Sequence, residues 1–537
     1  MVSKYEIIGN FHTFKIRFFK YPILFLLCLL SRVTGFGAQI PPEVNDPAIT
    51  SDPILLYSMS FSQFIFHDKV WPLILLYSNI LMFIILIMVR KSFRFAKERF
   101  TLEGIINERT EELLNQKEKV DELISNMLPK DTADQLKKTG RATTRKYNMV
   151  SILFSDIEGF TRIAEQMNPE ILVDELDKFF FKFDSLVEEF NIEKIKTIGD
   201  AYMAAGGIPD INRTNPVDVV LAAIRIMQYM KQLKKDNEYF WDLRIGIHTG
   251  PVIAGVVGQK KLSYDIWGDS VNTASRMESS GEAGKINISG STYEYVKEFF
   301  TCEYRGKMPV KYKGNIDMYF VKGFRPEFSV DMEGQEPNYR FSIKLQLLRL
   351  QDVEDHFLKR MEEELPAILN FHDQKYSMEL LTNCELLFSS EKLSEEDRLL
   401  VRTAALLDCM SYLKGYIERE KYIPQLVRET LPEYHYNEKQ MLKISKLINT
   451  PFFPPAALTL PEKVLSDARL AFLGKNNFQN SVVTLFEEMK YYGRATSKKE
   501  FVKSFAEFLE SFEFYTLTAQ KLAEVTTEEQ IKKLNKI

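Results

Sequence analysis

Cysteine is scarce in this chain. Its 537 residues contain four, Cys28, Cys302, Cys384 and Cys409, with no C-x-x-C spacing. Neither a disulfide framework nor a cysteine zinc site is therefore expected, and the bulk of the chain is expected to lie in a reducing compartment. Charge of one sign is also lacking, because the formal net charge is only −4. That value gives no basic surface of the kind that binds nucleic acid.

Apolar and charged residues are both present in ordinary amounts. Hydrophobic residues make up 45% of the chain and charged residues 27%, which is typical of folded proteins and excludes wholesale disorder. The length is too great for one typical domain and predicts three or four units.

The N-terminal 39 residues predict a signal peptide or a short first membrane helix. Basic residues precede an apolar run from Tyr21 to Leu30, which is shorter than the roughly 20 residues needed to cross a bilayer core. The length is typical of a signal peptide, and Gly35 and Gly37 offer small residues near a cleavage site. Arg32 lies between the run and that site, so the membrane helix stays open as an alternative.

A second apolar run, residues 71–89, predicts a transmembrane helix. Its nineteen residues carry no charge, and Arg90 and Lys91 follow at once. A basic flank after an apolar run places the C-terminal side in the cytosol. A buried core helix is the weaker alternative, because no polar face interrupts the run. Residues 40–70 then form an extracytoplasmic segment, too short for a sizeable sensory domain.

Residues 90–144 are predicted to form a signalling helix or coiled coil. Apolar residues recur there every seven positions, at Ile106, Leu113, Val120 and Met127. This spacing fits a short parallel coiled coil. Arg109 and Gln116 interrupt the apolar seam, so the pairing should be weak, and the alternative is a solvated linker helix with one apolar face.

Four sequence blocks in the middle of the chain carry the functional signal. They are FSDIEGFT (154–161), IKTIGDAYM (195–203), YDIWGDSVNTASRMES (264–279) and VKYKG (310–314). The first two predict the order strand, helix, strand, tight turn and strand, with the turn at Gly199-Asp200. Together the blocks resemble the class III nucleotidyl cyclases over residues 145–327. The resemblance implies an α+β catalytic domain with a ferredoxin-like sheet.

Two aspartates in these blocks are candidate metal ligands. Cyclisation is attack of the ribose 3′-oxygen on the α-phosphate, and two cations can stabilise the attacking and leaving oxygens. Hard cations such as Mg²⁺ prefer carboxylate oxygens. The resemblance implies that Asp156 and Asp200 bridge two Mg²⁺ (or Mn²⁺) ions in each site, with the carbonyl of Ile157 as a further ligand.

The later blocks supply candidate contacts to the substrate. Asn272 and Arg276 are four residues apart on a predicted helix, so both project from one face. The resemblance makes Asn272 the group that orients the ribose and Arg276 the cation on the α-phosphate. Lys313 matches the family's phosphate-binding lysine, with Lys311 as a close alternative because Tyr312 stands where the family often has glycine.

Lys196 and Asp265 are the candidate base-selecting pair. Adenine offers N1 as an acceptor and its 6-amino group as a donor, so a lysine donor and an aspartate acceptor complement it. Guanine offers the reverse pattern. In the family that these residues resemble, a Lys/Asp pair marks adenylyl cyclases and a Glu/Cys pair marks guanylyl cyclases.

The resemblance also implies a homodimer with two shared active sites. One protomer supplies Asp156 and Asp200 to a site, and its partner supplies the base, ribose and phosphate contacts. Because one chain holds the complete set, a symmetric dimer has two equivalent sites. A monomer is expected to be inactive.

Residues 340–537 are predicted to be helical almost throughout and distantly resemble HD-type metal phosphohydrolases. That family needs a histidine, a His-Asp pair and a later aspartate to hold its metal. Here Asp408-Cys409 stand at the pair and Tyr376 at the earlier histidine, so Asp467 alone matches. Metal sites do not tolerate such losses. A degenerate scaffold with a regulatory or interaction role is expected, and hydrolysis is disfavoured.

These expectations combine into a membrane-anchored adenylyl cyclase with a cytoplasmic catalytic domain and ATP as substrate. The first alternative is a guanylyl cyclase, which Lys196 and Asp265 disfavour. The second is a non-catalytic membrane signalling scaffold whose cyclase domain only dimerises. The stimulus is open between a partner membrane protein, a lipid and the C-terminal domain.

Overall fold

The computed structural model describes residues 71–236, 241–258, 261–310, 314–330, 332–534 and 536. The chain divides into two compact units, one ending at Lys117 and one beginning at Glu118. The predicted signal peptide or first membrane helix and the predicted extracytoplasmic segment both lie outside the described residues, as do Lys311 and Lys313.

The described part of the first unit is a helix. Helix α1 runs from Trp71 to Met127. Within the described ranges it is the one helix long and apolar enough to cross a membrane, with a mean hydropathy of 2.5 over its most apolar window. The predicted heptad side chains are exposed, from 53% at Val120 to 68% at Met127. One continuous helix thus covers the predicted membrane segment and the predicted heptad positions. It ends at Met127, and a second helix, Lys130–Thr139, follows within the predicted segment 90–144. Membrane insertion and pairing stay predictions.

The second unit begins with an eight-stranded mixed sheet. The strands are β1 (Arg145–Ile157), β2 (Ile192–Ile198), β3 (Ala201–Gly206), β4 (Leu243–Val257), β5 (Ser263–Trp267), β6 (Ile286–Ser289), β7 (Phe300–Val310) and β8 (Gly314–Phe324). Their order is β2-β3-β1-β4-β6-β8-β7, with β5 also paired to β4. Only the β4–β6 pair is parallel among these described strands. The predicted strand, helix, strand, turn and strand order is present.

Helices cover both faces of this sheet. They are α2 (Lys130–Thr139), α3 (Phe160–Gln166), α4 (Pro169–Glu189), α5 (Asn215–Asp236), α6 (Asp269–Ser279) and α7 (Gly290–Val296). Central strand β1 is buried on both sides: Leu153 packs in the same core as Phe183 of α4, and Ile152 packs with Ala274 of α6. A strand covered on both faces takes a continuous apolar run, which explains its sequence.

Helix α6 lies directly on β4 because two glycines leave room for it. A Cβ on Gly246 would fall 1.9 Å from the backbone nitrogen of Glu278, and one on Gly250 would fall 2.5 Å from Ser270 Oγ. These contacts are four residues apart in the strand and eight apart in the helix, spans of about 13 Å and about 12 Å respectively. The helix therefore runs antiparallel to β4 along its whole length.

The C-terminal region is helical, as predicted. Its helices are α8 (Tyr339–Glu364), α9 (Gln374–Phe388), α10 (Glu395–Met410), α11 (Gly415–Thr430), α12 (Glu438–Asn449), α13 (Leu460–Leu470), α14 (Phe478–Tyr491), α15 (Lys498–Ser511), α16 (Leu517–Leu522) and α17 (Thr527–Leu534). One large apolar core lies among α8–α13, and a second lies around α14 and α15.

Helix α8 connects the sheet to the helical region. Phe341, near its start, packs in the core beneath the sheet, and Phe357, near its end, packs in the helical core. Between them, Arg349 Nη2 donates to Asp218 Oδ1 and to Thr214 Oγ1, each at 3.2 Å. Arg349 and Asp218 are both buried. The start of α5 and the middle of α8 therefore share one buried ion pair.

The candidate HD-type positions make structural contacts. Asp408 is fully buried, and its Oδ1 accepts from Arg469 Nη2 at 2.5 Å and from Arg419 Nη2 at 3.1 Å. Asp467 accepts from the backbone nitrogens of Tyr515 and Thr516 at 2.9 and 2.8 Å. Guanidinium groups thus balance the Asp408 charge, which is a role that a cation would otherwise take. These contacts agree with a degenerate site, and the HD resemblance itself stays a prediction.

Glu193 on β2 makes the stability of this fold depend on pH. Burial, together with the nearby Asp210 carboxylate, raises the pKa of Glu193 from 4.5 to about 7. The folded state therefore holds this proton more tightly than the unfolded chain. The free energy of unfolding should fall as pH rises from about 4.5 to 7.

The Glu193→Gln variant is expected to lose this dependence, because glutamine has no proton to release. It should exceed the parent in stability by about 2 kcal/mol at pH 8 and differ little at pH 4.5. Denaturant unfolding at the two pH values measures the difference. Exposed Glu189→Gln is the control and should follow the parent. Parallel pH profiles for the parent and Glu193→Gln would contradict this assignment.

Candidate functional site

The sheet brings the two candidate metal ligands together. Ser155 pairs with Tyr202 across β1 and β3, so the end of β1 lies beside the β2–β3 turn that holds Asp200. Gly199 in that turn has a φ of +65°, a conformation that glycine adopts without strain. Asp156, the next residue of β1, is therefore a neighbour of Asp200 in space.

The two carboxylates influence each other electrostatically. Burial and the Asp156 carboxylate raise the pKa of Asp200, and the backbone N–H groups of Asp200 and Ile157 oppose that rise. The structure thus places Asp200 against both Asp156 and the Ile157 backbone. These three residues are the predicted metal ligands.

Arg244 joins this site, although sequence analysis did not single it out. It lies opposite Asp156 in the β1–β4 register. Its Nη2 donates to Asp156 Oδ2 at 2.7 Å, and its Nε donates to Glu278 Oε1 at 3.0 Å. The available signal was one charge inside the otherwise apolar start of β4, since a charged side chain seldom lies in a buried strand without a partner.

Negative charge exceeds positive charge in this cluster. Burial and the Asp156 carboxylate raise the pKa of Glu278, and Asp200 adds to the effect, while Arg244 opposes it. Three carboxylates thus interact around one guanidinium. Carboxylate and carbonyl oxygens are the ligands that Mg²⁺ and Mn²⁺ prefer. The chemistry of these donors therefore suits divalent cations, and the assignment of Asp156, Asp200 and the Ile157 carbonyl as metal ligands stays a prediction.

Asn272 and Arg276 share the exposed face of α6. Both are exposed, whereas Thr273, Ala274 and Met277 on the opposite face are completely buried. The close contact with β4 fixes the buried face against the sheet. As predicted from their spacing, the two side chains therefore project together from the domain surface.

Lys196 and Asp265 meet although 69 residues separate them. Lys196 Nζ, on β2, lies 2.5 Å from Asp265 Oδ2, on β5. Asp265 Oδ1 also accepts from the backbone nitrogen of Ile266 at 2.9 Å. Both side chains remain partly exposed, 39% for Lys196 and 19% for Asp265. The pair thus forms within one chain and stays partly accessible to solvent, while its role toward a base stays a prediction.

The predicted phosphate ligand lies outside the described residues. Strand β7 ends at Val310 and β8 begins at Gly314, and Lys313 and its alternative Lys311 fall between them. Their role stays a prediction.

Residues 142–323 match the family model described as "Adenylate and Guanylate cyclase catalytic domain". This part of the chain is a class III cyclase catalytic domain, as predicted. The match covers the sheet, its helices α3–α7 and the cluster around Asp156.

Curated relatives include cyclases of both nucleotide specificities. Guanylate cyclase 32E of Drosophila melanogaster is 38% identical over 243 residues, which are 44% of this chain and 21% of that protein. An adenylate cyclase of Mycobacterium bovis is 40% identical over 202 residues, 37% of this chain and 46% of that protein. The chain thus matches less than half the length of each. The comparisons leave the choice between ATP and GTP open.

A solved structure with a bound nucleotide is also similar. It is the guanylate cyclase domain of RhGC from Catenaria anguillulae in complex with GTP. It is 36% identical, and the alignment covers 33% of this chain and 97% of that one with a TM-score of 0.32.

The excess of carboxylates predicts binding of a divalent cation that depends on Asp200. In the full-length chain, Asp200→Asn should weaken Mn²⁺ binding about tenfold or more, because the hard cation loses a carboxylate ligand. The electron paramagnetic resonance signal of free Mn²⁺ measures the binding. Asp265→Asn is the matched control, since its carboxylate pairs with Lys196, and should leave the affinity within about twofold. Equal weakening in both variants would show that the Asp156–Asp200 pair is not the cation site.

Proposed function

We propose that the protein is an adenylyl cyclase that converts ATP to 3′,5′-cyclic AMP and pyrophosphate. The cyclase domain supports the reaction class. The observation that carries the choice of ATP is the contact between Lys196 Nζ and Asp265 Oδ2 at 2.5 Å. The guanylyl alternative has support from the Drosophila relative, but it lacks residues here that complement guanine.

The Lys196–Asp265 pair retains hydrogen-bonding capacity for a base. A lysine ammonium has three donors, and one of them faces Asp265. Each carboxylate oxygen accepts more than one bond, so Asp265 can also receive the 6-amino group of adenine. Guanine would place its O6 acceptor and N1 donor against the wrong partners. Leaving buried polar groups unpaired costs about 1–3 kcal/mol each, which makes such a pocket selective.

The remaining candidate residues bind the metal ions and contact the ribose and the phosphates. Bound divalent cations would supply Lewis-acid stabilisation of the attacking and leaving oxygens. Asp156 and Asp200 would hold them, with the Ile157 carbonyl as a further ligand. Asn272 orients the ribose, so that its 3′-hydroxyl faces the α-phosphorus.

Arg276 and Lys313 stabilise the phosphate charge. Arg276 offers fixed guanidinium donors to the α-phosphate, where charge shifts during displacement. Lys313 binds the outer phosphates.

The active protein is a homodimer with two shared sites. Asp156 and Asp200 of one protomer face the partner's α6 and base-selecting pair. The contact between Lys196 and Asp265 within one chain supports assigning both to the same half-site. A monomer would hold two incomplete halves.

The domain is anchored at the cell membrane by residues 71–89 of α1, with the catalytic domain in the cytoplasm. The apolar composition of that helix and the basic residues that follow support this topology. Exposed heptad side chains support a weak parallel coiled coil between the membrane and the enzyme. The helical C-terminal region acts as a regulatory scaffold, possessing arginine-paired Asp408 where a phosphohydrolase would hold metal.

The base pocket is tested by turnover of ATP and GTP. The purified full-length protein with Mn²⁺ should form cyclic AMP from ATP and little cyclic GMP from GTP. Lys196→Glu combined with Asp265→Cys should lower kcat/KM for ATP about a hundredfold, because both base contacts are lost. Lys194→Gln is the control on the same strand and should retain activity within about threefold. Cyclic GMP as the main product of the parent would refute the ATP assignment.

The shared site is tested by mixing two inactive variants. Asp200→Ala and Arg276→Ala should each abolish turnover alone, since every site in such a homodimer lacks one essential group. Their co-expressed heterodimer should recover about half of the parent activity, because one of its two sites is complete. Size-exclusion chromatography shows that each variant remains dimeric. No recovery in a demonstrated heterodimer would exclude shared sites.

A further inference from the structure

Glu278 lies where the sheet, the α6 helix and the metal half-site meet. It is only 8% exposed, and its carboxylate accepts from Arg244 Nε at 3.0 Å. The same guanidinium donates through Nη2 to Asp156 Oδ2 at 2.7 Å. Arg244 is therefore held between two carboxylates, one on β1 and one on α6.

The backbone of Glu278 has little freedom to move. Its nitrogen occupies the space that a side chain on Gly246 would need. The neighbouring carbonyl of Met277 accepts from Asn287 Nδ2 at 2.7 Å. A fixed backbone gives the Glu278 carboxylate a fixed position from which to orient Arg244. Long arginine side chains lose about 2 kcal/mol of rotamer entropy when they are ordered, so a second anchor matters.

We propose that Glu278 is a positioning residue for the metal half-site, acting by holding Arg244 against Asp156. This inference rests on the proposed function and its shared sites. Glu278 is carried by the helix whose Asn272 and Arg276 serve the opposite active site. Glu278 therefore acts on the site to which its own protomer supplies Asp156. Asn272 and Arg276, on the same helix, act on the other site of the dimer.

One consequence is a link between the two sites of a dimer, formed by helix α6 and two ion pairs. Arg276 contacts the nucleotide that is bound at the partner's metal half-site. Helix α6 therefore carries this contact. Glu278 at the end of that helix contacts Arg244, which contacts Asp156 of the other site. The chain from one site to the other is two ion pairs long.

A heterodimer with one working site separates the two roles of α6. Two full-length chains with different tags are co-expressed and purified through both tags, one carrying Arg276→Ala and the other Asp200→Ala. The working site takes its metal half from the Arg276→Ala chain and its α6 half from the Asp200→Ala chain. Glu278→Gln is then placed in either chain, and kcat/KM for ATP is measured.

The proposal expects the effect to follow the metal half. Glu278→Gln in the Arg276→Ala chain should lower kcat/KM at least about tenfold more than the same change in the Asp200→Ala chain, as is usual for residues that orient a metal site. Arg244→Ala in the metal-half chain should make a further Glu278→Gln change there nearly silent, because both act through one contact. Thermal unfolding of both heterodimers controls for folding, and each contains the same number of variant chains.

Other outcomes overturn the inference. An equal loss from both placements indicates a general packing role, and a larger loss from the Asp200→Ala chain indicates an effect on Arg276 through the helix. If Glu278→Gln prevents folding, Arg244→Lys in the two placements tests the same contact with the same expectation. A parent heterodimer without activity overturns the shared-site model together with this inference, whereas an active parent with no placement effect overturns the inference alone.

Discussion

The close approach of α6 to β4 is the constraint on which the catalytic domain depends. Gly246 and Gly250 leave no side chain between helix and strand, so the backbone of Glu278 touches the sheet. This contact fixes the rotation of α6 about its axis. Asn272 and Arg276 then project outward, while Glu278 is turned inward onto Arg244. A single steric condition thus arranges groups on both faces of the helix.

The cluster around Asp156 concentrates charged groups at a cost in folding stability. Three carboxylates interact around one guanidinium, and burial raises the cost of leaving Asp200 and Glu278 ionised. A fold selected only for stability would replace such a group with apolar side chains. The retention of this charged cluster is understandable if bound cations and the polyphosphate of a nucleotide neutralise its charges. The excess negative charge at Asp156 and Asp200 favours the bound cations.

Much of the catalytic domain could be predicted from sequence because its signals are local. The Gly199-Asp200 turn, the apolar β1 run and the spacing of Asn272 and Arg276 each follow from a few neighbouring residues. Arg244 was missed for the opposite reason. Its role depends on the β1–β4 register, which places it opposite Asp156 across 88 residues of sequence. Pairings of that kind are set by tertiary packing and leave no periodic pattern.

The C-terminal region shows the same limit. Helices there are evident from apolar periodicity, but the arginines that pair with Asp408 come from two other helices. The sequence does not indicate these ion-pair partners, because they meet Asp408 only through the packing of three helices. The resemblance of these positions to an HD-type metal site stays a prediction. The membrane segment and the heptad pattern can be recognised in the sequence. Membrane insertion and coiled-coil pairing, in contrast, depend on a bilayer and on a second chain.

Helix α8 lies beyond the family match but packs into the core of the catalytic domain. The folding unit is therefore longer than the matched segment. The family match ends at residue 323, yet Phe341 of α8 completes the core beneath the sheet and Arg349 neutralises the buried Asp218. An unpaired buried carboxylate costs about 3–5 kcal/mol when its partner is removed. A chain cut at the end of the match would therefore carry an exposed apolar patch and an uncompensated charge. The stability of the catalytic domain is therefore expected to depend on the helix that follows the matched segment.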